Sequence, residues 1–131
     1  MPGFKAGSSY AAIGALTAFS GATGAVVANQ VLAEMIFPWH SGHIAGAEFY
    51  AVTAGTGGGS TTLDILLNGT SVFAAAGDKP VLLAATAAAA FAMSPPTVKG
   101  LKFGDRITII VLTVSTTGHA RVSGAVALEK A

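Results

Sequence analysis

Any chemistry this chain performs must come from three histidines and six acidic residues, because it contains no cysteine. His40-Ser41-Gly42-His43 is the most suggestive cluster, with two imidazoles three positions apart and a hydroxyl between them. Side chains alternate along a strand, so a strand would send the two rings to opposite faces. A turn would bring them together, but a zinc site needs three or four ligands and no further one is placed. The expectation is a pair of loop histidines. Ser41 beside His40 lacks the acid that orients a catalytic imidazole. His119 follows the turn residue Gly118 and is expected to be solvated. Asp64 lies in the apolar run Thr62-Leu63-Asp64-Ile65-Leu66-Leu67, where alternation sets it opposite Leu63 and Ile65. It is expected to be an outward polar residue rather than a base or a metal carboxylate. Asp105, just before Arg106, is expected to shape a turn by bonding its own backbone. Gly57-Gly58-Gly59 has neither the Lys-Ser/Thr nor the helix of a phosphate loop. Trp39, the single tryptophan, fits a packed or interface aromatic better than a ligand platform. The expected protein is not an enzyme and carries no cofactor and no metal.

The elements around these residues read as strands and turns. Met35-Ile36-Phe37 runs into Pro38, which stops a ladder or marks a sheet edge. Residues 46–53 are strand-like and 55–60 form a glycine-rich loop. Asn68-Gly69 between two apolar runs is a strong hairpin signal, since both residues tolerate the positive φ of a type I′ turn. Leu63, Ile65 and Leu67 share one face of the strand before it. Residues 84–93 are alanine-rich and have the best helix propensity in the chain, ending at Ser94-Pro95-Pro96. A single helical turn or an irregular crossover fits them equally. Residues 107–114 are β-branched and apolar on both faces, which predicts a central strand covered on both sides. Along 121–129, Val122, Gly124, Val126 and Leu128 should face inward. Short strands with glycine-rich turns indicate an all-β fold, an antiparallel β-sandwich or barrel.

Composition bounds the function. The chain has 131 residues, enough for one domain. Only 10% of them are charged, against roughly 25% in an average soluble domain, and mean hydropathy is +0.65. Intrinsic disorder requires the opposite balance. A net charge of +1 leaves no electrostatic footprint for nucleic acid. So few charged side chains cover a lone globule poorly, and near-zero net charge favours self-association. A homo-oligomer is expected.

Residues 6–33 carry no charge, a length sufficient to span a bilayer. They are nevertheless rich in Gly, Ser and Thr and poor in strong insertion residues, so no membrane span is expected. A secretory leader, with Lys5 as its basic region and Val26-Val27-Ala28 as its cleavage site, is the stronger rival. The favoured division is an extended arm over 1–29 and a β-sandwich domain over 30–131, the glycines of the arm opposing a helix. Phe4, Tyr10, Ile13, Leu16, Phe19 and Trp39 are the expected interface residues.

The run Thr61-Thr62-Leu63-Asp64-Ile65-Leu66-Leu67-Asn68-Gly69-Thr70-Ser71-Val72-Phe73, followed about thirty residues later by Phe103-Gly104-Asp105-Arg106-Ile107-Thr108-Ile109, resembles small β-sandwich or jelly-roll virion proteins of tailed bacteriophages. These include head-decoration (cement) proteins and fibre or tail-accessory domains. The likeness spans about residues 44–129 and consists mostly of turn chemistry. It implies a jelly roll that stabilises the capsid exterior, commonly as a homotrimer bound to the major capsid protein, with an arm crossing neighbouring subunits. It transfers no catalytic residue. Two asparagines, one glutamine and no cysteine suit a thermostable particle. Two alternatives remain: a small major coat or tail subunit, and a secreted carbohydrate-binding sandwich using Trp39, Tyr10 and Tyr50.

Overall fold

The computed structural model describes residues 16–20, 24–73, 75–83, 89–92 and 99–130. These form ten strands: β1 Leu16–Ser20, β2 Val31–Ile36, β3 Ser41–Thr53, β4 Ser60–Leu67, β5 Thr70–Ser71, β6 Val81–Leu83, β7 Ala89–Ala92, β8 Lys99–Lys102, β9 Arg106–Thr113 and β10 Ala120–Lys130. A 3-10 turn, Ala76–Asp78, is the one helical element among the described residues. The protein is all-β, and every strand pair is antiparallel. One sheet runs β1-β10-β3-β7 with β8 also on β3; the other runs β2-β9-β4-β5 with β6 also on β4.

Alternation explains the core. Phe49 and Ala51 of β3 and Val122, Val126 and Leu128 of β10 are buried, as are Leu63 and Ile65 of β4 and Ile107, Ile109 and Val111 of β9. All belong to one hydrophobic cluster fed by both sheets. Of the inward set expected on β10, Val122, Val126 and Leu128 are buried and Gly124 is half-buried. β3 passes a bulge at Ala45, so Ile44 pairs with Leu128 and Gly46 with Ala127, and the inward face continues on both sides of it. β9 sits centrally between β2 and β4, as its β-branched run predicts. Its second face is only partly covered: Thr108 is buried, whereas Ile110 and Leu112 are half-buried. Asn68 (φ 50°) and Gly69 (φ 92°) make the expected tight turn between β4 and β5.

Four expectations need correction. Leu16–Ser20 lies inside the expected arm but pairs with Ser123–Ala127 as the edge strand of the β3 sheet, so the ordered body begins before residue 30. Of the alanine-rich segment, Ala89–Ala92 is a strand on β3, with Phe91 opposite Phe49, and not helix. Residues 84–88 and 93 lie outside the described residues. Asp64 is 2% exposed rather than outward in solvent, because the chain between β5 and β6 covers it. His119 is 0% exposed rather than solvated.

Candidate functional site

One buried polar cluster is built around His119, just before β10. Its Nε2 lies 2.9 Å from the Leu83 carbonyl and its Nδ1 2.9 Å from Thr61 Oγ1. A carbonyl only accepts, so Nε2 carries the proton and Nδ1 accepts from the threonine hydroxyl. Ser115 stands beside it, also fully buried, and donates to the Thr117 carbonyl at 2.8 Å. Gly55 covers the cluster, and a Cβ there would come within 2.8 Å of Nδ1. The histidine thus ties β4, β6 and the loop before β10 together. Every polar atom named has a partner, and among the described residues no carboxylate is bonded to the ring, so the arrangement ties one end of the molecule together.

Asp64 is a second lock. Its Oδ1 accepts from the Ser71 hydroxyl and the Ile65 N–H, each at 2.8 Å, and its Oδ2 lies 3.4 Å from Lys79 Nζ. Ser71 in turn accepts from Phe73 N–H at 3.2 Å. The carboxylate therefore fastens the segment between β5 and β6 over the edge of β4. Asp105 is a third. It accepts from Lys102 N–H at 2.9 Å and from the Asn68 amide at 3.1 Å. Those two bonds, the backbone one first, hold its carboxyl below the usual range, aided by the Lys102 charge and opposed by partial burial. The turn-shaping role read from the sequence is correct, and the Asn68 partner across 37 residues is the addition.

The histidine pair does not converge. His40 is exposed ahead of β3, while His43, on β3, meets Glu129 of β10 at 2.6 Å on a half-exposed surface. Among the described residues no group of three or more His, Asp or Glu is placed to hold a metal ion. No helix among them is long and apolar enough to cross a membrane.

The remaining candidate is surface. On the outward side of the β3 sheet, Ser123 pairs with Tyr50, Ala125 with Glu48 and Ala127 with Gly46. β1 extends these rows with Ser20, Ala18 and Leu16, and β7 adds Ala90 and Ala92. In these three rows Glu48 is the one charged residue, with Tyr50 (38%) and Val52 (40%) exposed beside it; the Glu129–His43 pair closes the face at one end and exposed Arg121 at the other. Of the expected interface residues, Leu16 pairs with Ala127 and Phe19 with Gly124 in the β1–β10 ladder. Trp39 is half-buried against the core, edge-on to Phe37 with centroids 5.5 Å apart. Phe4, Tyr10 and Ile13 lie outside the described residues. The sequence reading missed Ile36, Leu83 and Phe103, which are 56%, 60% and 71% exposed. Phe103 had a legible signal, since an aromatic directly before Gly104-Asp105 occupies the tip of a turn. The chain matches no family model, no curated protein and no solved structure.

Proposed function

We propose that this chain is a non-enzymatic structural subunit of a virion, a β-sandwich of jelly-roll type that decorates and stabilises the outside of a phage head. In this reading it self-associates through the outward face of the β3 sheet and uses residues 1–15, continuing from β1, for further contact with neighbouring subunits. The observation that carries the reading is that small-residue face. Rows of Ala, Ser and Gly, with Tyr50, Leu16 and one Glu, are poor in the charge that keeps a solvated sheet apart from its copies. Small side chains also let a second layer approach closely. The long β3–β10 ladder, widened by β1 and β7, presents roughly 450 Å² from strand spacing and rise, so a pairwise contact buries about 900 Å². That is at the low end for a specific interface, and a closed oligomer with two contacts per copy suits it better than a dimer. A net charge of +1 sets up little repulsion between copies. The two internal locks, at His119 and Asp64, suit a rigid part of an assembly rather than a catalyst that opens and closes.

The test is a charge placed in the middle of the face. Ala125→Arg should leave the fold intact, by circular dichroism and melting, and should reduce the assembly to monomer in sedimentation velocity. An Ala125→Arg variant that sediments like the unmodified assembly would remove this face from the account.

A further inference from the structure

Two turns are joined through one amide. Asn68 leads the turn between β4 and β5, and its side chain reaches the turn between β8 and β9 with both ends in use. Its Nδ2 donates to Asp105 Oδ1 at 3.1 Å, and its Oδ1 accepts from Arg106 N–H at 2.9 Å. Its backbone N–H donates to the Arg106 carbonyl at 2.8 Å. The same residue is chemically the least durable in the chain. Asn68 and Gly69 are both exposed, and a Cβ added at Gly69 would meet nothing within 4 Å. Asparagine is thermolabile, most of all before glycine, where no side chain shields the next backbone nitrogen. The other asparagine, Asn29, precedes Gln30, whose side chain hinders the same approach.

The reaction open to this pair is attack of the Gly69 nitrogen on Asn68 Cγ. The new C–N bond closes a five-membered succinimide, the Cγ–Nδ2 bond breaks, and ammonia leaves with the proton given up by the Gly69 nitrogen. Water then opens the ring at either carbonyl, leaving aspartate or isoaspartate at 68. The folded geometry opposes the first step twice. A type I′ turn carries a ψ of about +30° at its first central residue, which turns the following nitrogen away from that residue's Cβ. Asn68 has the matching positive φ of 50°. The bonds to Asp105 and Arg106 also hold the amide toward the β8–β9 turn. Attack needs both restraints to open, so local opening sets its rate.

We propose that Asn68 is the deamidation site of this chain, that Asp105 keeps it intact in the folded protein, and that its conversion parts the β4–β5 turn from the β8–β9 turn. The product cannot re-form the link. A carboxylate at 68 has no proton to donate and faces Asp105 Oδ1, so an attractive contact becomes a repulsion between like charges. Isoaspartate also adds a backbone carbon to a turn whose two positive φ values fit two residues. The site is independent of the self-association proposed for the β3 sheet.

The test follows both asparagines in the full chain at mildly alkaline pH, by peptide mapping with mass spectrometry. Conversion is expected at Asn68 ahead of Asn29, slow in the folded protein and fastest in the urea-unfolded chain. Folded Asp105→Ala should convert about tenfold faster than the unmodified protein, the factor that one hydrogen bond to a charged group contributes to an opening equilibrium. Gly55→Ala, which crowds His119 at the other end of β4, should leave the rate unchanged. A rate at Asn68 that is equal in Asp105→Ala and the unmodified protein, that rises as much in Gly55→Ala, or that is no slower folded than unfolded overturns the proposal. Asn68→Asp builds one product directly and should melt about 5 °C lower. The exchange Asn68→Asp/Asp105→Asn again sets one donor against one acceptor and should recover most of that loss. Asn68→Asp melting with the unmodified protein, or an exchange that recovers nothing, equally overturns it.

Discussion

Asp64 contributes through what it fastens. Its carboxylate is 2% exposed and accepts two hydrogen bonds beside the Lys79 ammonium, whose side chain is 20% exposed. Removing one member of a buried pair leaves the other without compensation, whereas replacing both with apolar groups of similar shape does not. Asp64→Ala should therefore lower unfolding free energy by about 3 kcal/mol, and Asp64→Leu with Lys79→Met should recover the part due to the uncompensated ammonium but not that due to the unpaired Ser71 hydroxyl and Ile65 N–H. Urea denaturation of the three proteins measures both. Asp105 gives a pH signature instead. Its folded-state pKa lies below the ordinary unfolded value of about 3.9, so its contribution is present above that pH. The stabilisation disappears as the pH falls from about 4 through the folded pKa. Thermal melting below pH 4 should accordingly fall less steeply for Asp105→Asn than for the unmodified protein. His119 and Asp64 were both misread from sequence for one physical reason. Alternation tells which side of a strand a residue takes, but what lies on that side is decided by loops arriving from elsewhere. For Asp64 the cover is the segment carrying Lys79, and for His119 it is Thr61 and the Leu83 carbonyl, 58 and 36 residues away.

Local chemistry was strong enough at some elements to be read directly. The β4–β5 turn needs two positive φ values, and Asn68-Gly69 supplies both. β9 is nearly continuous in β-branched and apolar residues and lies in the middle of its sheet. The alanine-rich segment is the contrary case. Alanine favours a helix by a few tenths of a kcal/mol per residue, a weak preference that an available strand edge overrides. Ala89–Ala92 finds such an edge on β3, between Glu48 and Ala51. The edge strand β1 was hidden for a similar reason, since a Gly- and Ala-rich run carries no periodicity that would distinguish a strand from an arm. Close approach between elements is also testable. A Cβ on Gly42 of β3 would overlap the Glu129 carbonyl of β10 and the buried Phe37 ring, so neither neighbour can give way easily. Gly42→Ala should destabilise the protein by about 1–3 kcal/mol, read as a lower melting temperature. Gly46→Ala, on the same strand with open space around its Cα, should change little.

At the scale of the whole molecule the account rests on where charge is missing. A chain with 10% charged residues has enough of them to secure a few internal and edge contacts, including Asp64 with Lys79, Glu34 with Arg106 and Glu129 with His43. Few are then left for the middle rows of the outward face of the β3 sheet, which carry Ala, Ser, Gly, Leu16 and Tyr50 with Glu48 alone, the Glu129–His43 pair and Arg121 standing at the two ends. As proposed, this surface lies against copies of the same chain, the partner always present at the same concentration. The all-β class was legible in sequence because turns and alternation are local. Which face lacks charge was not, because it depends on the register of β10 against β3. The central claim is that the chain assembles with itself, and native mass spectrometry of the unmodified protein at micromolar concentration tests it most directly. The account predicts a closed oligomer at an integral multiple of 12.9 kDa; a single species at 12.9 kDa across the whole concentration range would contradict it.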